Sequence, residues 1–331
     1  MRRFFLLVFS VFCFQYSFAQ KDVNVLFIGN SVTYNDSRYD PNAPYYNNMT
    51  EMLQKMMDER KLKVHIEKVT RAGASLANHA TCIGSDGEID QYRRVKRDEV
   101  PSAVKKIMTG HWDMVVLQEG GGESVLNPGL RYFSTDPALK YMDSVIKKAQ
   151  AKTVLFQGYA TPHAGDTDAQ FSAMEASTAN CIVMDAFGFG MKSIVFFDPE
   201  QERSLNGKDT SFCPPHYKDS VEEFRAVAAQ YDQIAAKYSA DVVEIGVAFE
   251  KFKKDCPDMP LYYRGDDAHP SRQAAYLIAC MFFRYITGQN VDKMKYHADI
   301  TDAEAQKMQK IADSIPPRRG GGAAGPLTTK K

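Results

Sequence analysis

The sequence predicts an α/β protein built on a mostly parallel sheet with helices on both faces. Three observations predict it. Short β-branched, apolar runs alternate along the chain with longer stretches of helical apolar spacing, which is the pattern of βαβ units. The 331 residues are 44% hydrophobic and 25% charged, ordinary values for a globular protein. No linker-like composition and no internal repeat interrupts the body of the chain, so a single domain is expected.

The elements follow in order. Val23 to Ile28 is a β-branched strand that stops at Gly29. Asn47 to Arg60 places Met49, Met52, Leu53, Met56 and Met57 at helical spacing, a core-facing stripe. Val64 to Val69 alternates as a strand does, and Met114 to Leu117 is a short, fully apolar one. Ala138 to Ala149 reads as a helix and Thr153 to Phe156 as a strand. Phe171 to Ala186 is helical, and Ser193 to Phe197 is a further apolar strand. Val221 to Tyr238 is a long amphipathic helix, followed by strand-like Val242 to Ile245 and the apolar helix Ser271 to Ile286. In an open parallel sheet, binding sites form beyond the carboxyl ends of the strands. The loops after Ile28, Val69 and Leu117 are therefore where chemistry is expected.

Charge and termini narrow the class. Forty-one basic and 41 acidic residues balance, which gives no electrostatic reason to expect a nucleic-acid partner. Arg2 and Arg3 precede an apolar run from Phe4 to Phe14, and Ser17 and Ala19 supply the small residues of a cleavage site. Residues 1–19 therefore read as a secretory signal peptide, because the run is shorter than the roughly 18 residues a spanning helix needs. No later stretch is long and apolar enough to span a bilayer, so the mature chain is expected to be secreted or periplasmic. The globular domain then occupies 20–315, and the Pro/Gly/Ala-rich stretch 316–331 reads as a disordered tail. Beyond the leader stand Cys82, Cys181, Cys213, Cys256 and Cys280. Their odd number and wide spacing make no disulfide framework, although a bridge or two is compatible with an oxidising compartment. Cys181 and Cys280 sit in apolar helical patterns and read as buried. His79-x-x-Cys82 alone is too small a ligand set for a metal site.

The phosphate loop, the dinucleotide G-x-G-x-x-G, the zinc helix H-E-x-x-H and the G-x-S-x-G elbow are all absent. What remains is a strand running straight into Gly29-Asn30-Ser31, which places a serine hydroxyl at its carboxyl end. Far downstream, Asp266-Asp267-Ala268-His269-Pro270-Ser271 precedes the last apolar helix. An Asp three residues before a His can hold the imidazole Nδ1–H and leave Nε2 to take a proton from a serine. Asp267 is the rival for that orienting role. Read alone, Ser31 fits a helix or turn cap equally well, and His269 an exposed loop.

At these residues the chain resembles the SGNH (GDSL-like) hydrolases, which carry a G-[DN]-S block near the N-terminus and a D-x-x-H block near the C-terminus. The resemblance spans roughly Val23 to Ile286. It implies a three-layer α/β/α fold of the flavodoxin-like type, with a doubly wound, mostly parallel five-stranded sheet. It also implies a Ser31–His269–Asp266 triad and an oxyanion hole from the N–H of Ser31, the N–H of Gly73 and a side chain after the third strand. That third position is an asparagine in the family. Here Val115-Val116-Leu117-Gln118-Glu119-Gly120 offers Gln118, and carbohydrate-acting branches of the superfamily look similar in this block.

The expected activity is hydrolysis of a small acyl ester, an acetyl group on a carbohydrate in the first instance, without metal or organic cofactor. Three alternatives keep the fold: a lipid or thioester acyl chain as substrate, acyl transfer in place of hydrolysis, and a non-catalytic carbohydrate-binding module.

Overall fold

Parallel pairing of one central strand with neighbours on both sides sets the architecture. The computed structural model describes residues 22–34, 48–85, 87–90, 92–120, 123–126, 131–160, 217–263 and 269–320. Strand β1 (Val23–Gly29) pairs in parallel with β2 (Val64–Thr70) on one side and with β3 (Met114–Leu117) on the other. Strands β4 (Lys152–Phe156) and β5 (Asp241–Val243) extend the sheet to the order β2-β1-β3-β4-β5. All five strands are parallel, as the alternating pattern requires.

Alternation along β1 splits the interior into two cores. Val23, Val25 and Phe27 face helices α1 (Met49–Glu59), α7 (Ile245–Asp255), α8 (Arg272–Thr287) and α9 (Asp302–Asp313). Leu26 and Ile28 face α2 (Leu76–Thr81), α3 (Ser102–Thr109), α5 (Asp136–Lys148) and α6 (Ser220–Tyr238). A short helix α4 (Glu123–Leu126) and a π-helical turn (Arg131–Thr135) lead into α5. The result is a three-layer, doubly wound α/β/α fold.

The methionine stripe of α1 is fully buried, and Phe27 packs edge-on to Phe282 of α8 at 4.9 Å between ring centroids. Ser271 caps α8 by accepting from the Ala274 N–H. Cys82, Cys256 and Cys280 are buried. The helix expected at 171–186, the strand at 193–197, Cys181, Cys213 and residues 1–19 lie outside the described residues. Among the described residues no helix is long and apolar enough to cross a membrane.

Two sequence expectations are corrected. The strand expected at Val242 to Ile245 ends at Val243, because pairing with β4 stops at Phe156. Glu244 then serves as N-cap, and Ile245 is buried as the first residue of α7. Within the stretch 316–331, residues 316–320 are packed against the end strand instead of standing clear of the fold. The Val242 N–H reaches the Arg318 carbonyl at 3.4 Å, and Arg318 pairs with Asp232. The reason lies in Asp241, which is fully buried and needs donors. Lys152 Nζ (2.6 Å), the Tyr285 hydroxyl (2.7 Å) and the Gly320 N–H (2.5 Å) supply them. Gly320 comes so close that a Cβ there would stand 2.7 Å from the Ala240 carbonyl oxygen.

A chain ending at Ile315 strips one donor from this buried carboxylate and uncovers the β5 edge. Relative to a chain ending at Gly320, it should lose about 2–4 kcal/mol of unfolding free energy in urea titration. Equal midpoints for the two chains would show that the segment contributes nothing.

Candidate active site

In the strand order 2-1-3-4-5, the loops leaving β1 and β3 diverge to opposite faces and open a crevice between the two strand ends. Ser31 follows β1 there, and Gln118 and Glu119 follow β3. After Gly29 the chain turns sharply, with the Thr33 and Tyr34 N–H groups both reaching the Asn30 carbonyl at 3.0 Å. Ser31 is buried to 8% exposure within this turn.

The decisive distance is 2.8 Å, between Ser31 Oγ and His269 Nε2. The histidine arrives on a fixed loop. Its carbonyl accepts from the Tyr263 N–H at 2.8 Å, Pro270 bridges Tyr262, and the Ser271 N–H reaches the Leu261 carbonyl at 2.9 Å. Two residues 238 positions apart are thus brought into hydrogen-bond contact. Asp266 and its rival Asp267 lie outside the described residues.

Gly73 sits in the loop after β2, in a turn closed by the Ala74 N–H on the Arg71 carbonyl at 3.1 Å. Its φ of +70° is left-handed, which suits glycine at this turn position, and a methyl group added to it would meet nothing within 4 Å. The loop is docked onto the end of β1. The Gly29 carbonyl accepts from the Arg71 N–H (3.2 Å) and from His79 Nε2 (2.8 Å), and Asn30 Nδ2 donates to the Ala74 carbonyl (3.2 Å). Because a carbonyl only accepts, the His79 proton is on Nε2, and burial lowers the pKa of the ring to about 4. His79 is therefore a neutral brace between α2 and β1. No group of three or more potential metal ligands occurs among the described residues.

Gln118 departs from its expected role. Its Oε1 accepts from the Asn30 N–H (2.8 Å) and from the Thr33 hydroxyl (3.1 Å), while its Nε2 donates to the Glu119 carbonyl. The Asn30 N–H fixes which way the amide points, since a backbone N–H accepts nothing. Gln118 is 2% exposed, and its NH₂ end is turned to its own backbone. It clamps the serine turn instead of presenting a donor to substrate. The clamp explains Gly29: a Cβ there would come within 2.5 Å of Gln118 Oε1 and 2.7 Å of Thr33 Oγ1.

Glu119, which the motif reading did not place in the site, is buried beside Gln118. One carboxylate oxygen accepts from the Leu76 N–H (3.2 Å) and the other from the Gly120 N–H (3.0 Å). Burial pushes its pKa up to about 7, against the opposing pull of those two N–H groups. The negative charge of Glu119 in turn helps burial raise the pKa of the Tyr231 phenol.

With this geometry in view, comparison with known proteins is informative about the fold. No protein-family model matches the chain, and no curated protein matches its sequence. Among solved structures it is similar to a DUF4886 family protein from Bacteroides uniformis, with a TM-score of 0.55 and 15% identity over 89% of this chain and 94% of that one. The two chains share one fold. Lower similarity is found to the lipase/acylhydrolase from Enterococcus faecalis (TM-score 0.40, 13% identity, 80% and 95% covered). It is also found to a catalytic mutant of Axe2, an acetylxylan esterase from Geobacillus stearothermophilus (TM-score 0.41, 13% identity, 79% and 93% covered).

Two stability measurements test this site. Gly29→Ala must push Gln118 or Thr33 aside, and should cost about 1–3 kcal/mol in urea unfolding. Glu119 has a folded-state pKa above its unfolded value, so the native state holds a proton that the unfolded chain gives up between pH 4.5 and about 7. Its contribution to stability should therefore fall as pH rises through that window, by about 3 kcal/mol in all. Glu119→Gln should remove that part of the pH dependence; identical slopes for variant and wild type from pH 5 to 8 would contradict the shift.

Proposed function

We propose that the protein is a serine ester hydrolase in which Ser31 is the nucleophile and His269 its base. The observation that carries this reading is the 2.8 Å contact between Ser31 Oγ and His269 Nε2 at the carboxyl end of the sheet. An unaided serine hydroxyl is a poor nucleophile, and an imidazole held at this distance is what activates it. Asp266, three residues before His269, is proposed to hold Nδ1–H and so keep Nε2 unprotonated before attack.

In the proposed cycle the Ser31 hydroxyl passes its proton to His269 Nε2 as Oγ bonds to the ester carbonyl carbon. Negative charge moves to the carbonyl oxygen, and the N–H groups of Ser31 and Gly73 are the proposed donors to it. Collapse breaks the bond to the leaving alcohol, which takes the proton back from His269. Water, deprotonated by the same imidazole, then releases the acid and frees Ser31. Gln118 acts indirectly, by pinning the Asn30 N–H and the Thr33 hydroxyl on either side of Ser31. No step calls for a metal or an organic cofactor.

The proposed substrate is a short acyl ester, acetyl first, carried on a carbohydrate outside the cytoplasm. Two sequence features support this part. The leader-like residues 1–19 point to export, and the Gln118-Glu119 pair is similar to carbohydrate-acting branches of the SGNH hydrolases.

The test is acetate release from a panel of acetylated glycans, with aryl esters of increasing chain length in parallel. Wild type should favour acetyl, and Ser31→Ala should lose about 10³-fold or more in kcat/KM. Mass spectrometry after fluorophosphonate treatment should find the adduct on Ser31. A preference for long chains would replace the acetyl reading with a lipid one, and an unlabelled Ser31 in folded protein would replace catalysis with binding.

A further inference from the structure

The loop that carries Gly73 is tied to its surroundings at several points, among them the Arg71–Glu88 ion pair at 2.8 Å. Its start is held by the Arg71 N–H on the Gly29 carbonyl, and its middle by Asn30 Nδ2 on the Ala74 carbonyl. Both of these ties come from the end of β1. Its far side meets the loop after β3 through the Leu76 N–H on Glu119 Oε2 at 3.2 Å. Leu76 is the first residue of α2, directly after the Ser75 cap, so this N–H is one that no intrahelical carbonyl can satisfy. The other Glu119 oxygen is fixed by the Gly120 N–H in the loop after β3. A single carboxylate therefore spans two loops with both oxygens used and almost no solvent contact.

We infer that Glu119 is a positioning residue, holding the Gly73 N–H at the height the developing oxyanion needs by bracing the start of α2 from the end of β3. The inference rests on the esterase reading above, because only a charge developing at the carbonyl oxygen gives the position of Gly73 a kinetic meaning. Consecutive residues after β3 then divide the work: Gln118 sets the serine turn and Glu119 sets the Gly73 loop. The kinetic signature follows from when the donor matters. An oxyanion donor acts on the transition state and little on the bound ester, so loosening its support should lower kcat and leave KM nearly unchanged.

Glu119→Gln is the primary variant. An amide keeps one acceptor but turns an NH₂ toward the second N–H, so one of the two braces must break. At pH 8, kcat per Ser31 titratable with fluorophosphonate should fall about 10- to 100-fold, below the 10²–10³-fold typical for removal of a whole donor. Counting only labelled Ser31 removes any unfolded fraction from the result.

Leu76→Pro approaches the same contact from the other side. Proline is well accepted at the first helical position, and Ser75 already has the extended ψ of 168° that a following proline requires. It deletes the N–H that Glu119 holds, and should lower kcat by a similar factor. The double variant should be no slower than the worse single one, because both break one link. Multiplying losses, or Glu119→Gln turning over at the wild-type rate per labelled Ser31, would overturn the positioning role while leaving the esterase intact. A wild type that cleaves no ester and takes no label on Ser31 would overturn the esterase reading, and the positioning role with it.

Discussion

A parallel sheet stops satisfying its own backbone at its carboxyl edge. Beyond Gly29 and Leu117 the ladder has ended, and the N–H and C=O groups of the next few residues must find partners or remain wet. This protein meets that constraint with buried side chains from neighbouring loops. Gln118 takes the Asn30 N–H, His79 caps the Gly29 carbonyl, Asn30 reaches the Ala74 carbonyl, and Glu119 takes the Leu76 N–H. The same bonds that complete the backbone therefore fix the relative heights of Ser31 and Gly73. Local folding and candidate chemistry are set by one network, and neither can be altered without disturbing the other.

That network contains two ionisable groups under unusual pressure. Burial drives the imidazole of His79 toward neutrality and the carboxyl of Glu119 toward protonation, and both shifts favour the uncharged form. His269 is held differently. The His269 carbonyl accepts from the Tyr263 N–H and the Ser271 N–H reaches the Leu261 carbonyl, directly beside the cap of α8.

Much of this was readable from residue order. The runs at Val23, Val64, Met114 and Thr153 lie within a residue of the observed strands, because inner parallel strands buried on both faces carry continuous apolar sequence and the edge strand at Val64 alternates. Ser31 and His269 were legible because a turn after the first strand and a loop before the last helix confine each to a few residues. Other parts were hidden for identifiable reasons. Helix α7 begins directly behind β5, so the apolar run Val242 to Ile245 masks the switch in period. Helix α2 is six residues long and closed by a Ser75–Asn78 capping box, not by the usual Glu or Gln. Helix α9 carries the usual box, Thr301 with Glu304, which marks its start in the sequence. The orientation of Gln118 could not be read at all: one letter stands for both a donor and an acceptor, and only the Asn30 N–H decides which end faces the serine.

The cover over β5 has a temporal side. Residues 316–320 close the sheet edge, and His269 reaches back to a serine near the start of the chain. Both contacts join segments far apart along the chain. A ribosome that has not yet released residues 316–320 therefore holds back the edge cover, and one that has not yet released residue 269 holds back the imidazole. Until then the early strands can pair, but Asp241 lacks the Gly320 N–H and Ser31 lacks its 2.8 Å contact with His269. The order of synthesis thus leaves the Ser31–His269 contact and the cover over β5 to form after the strands that they join.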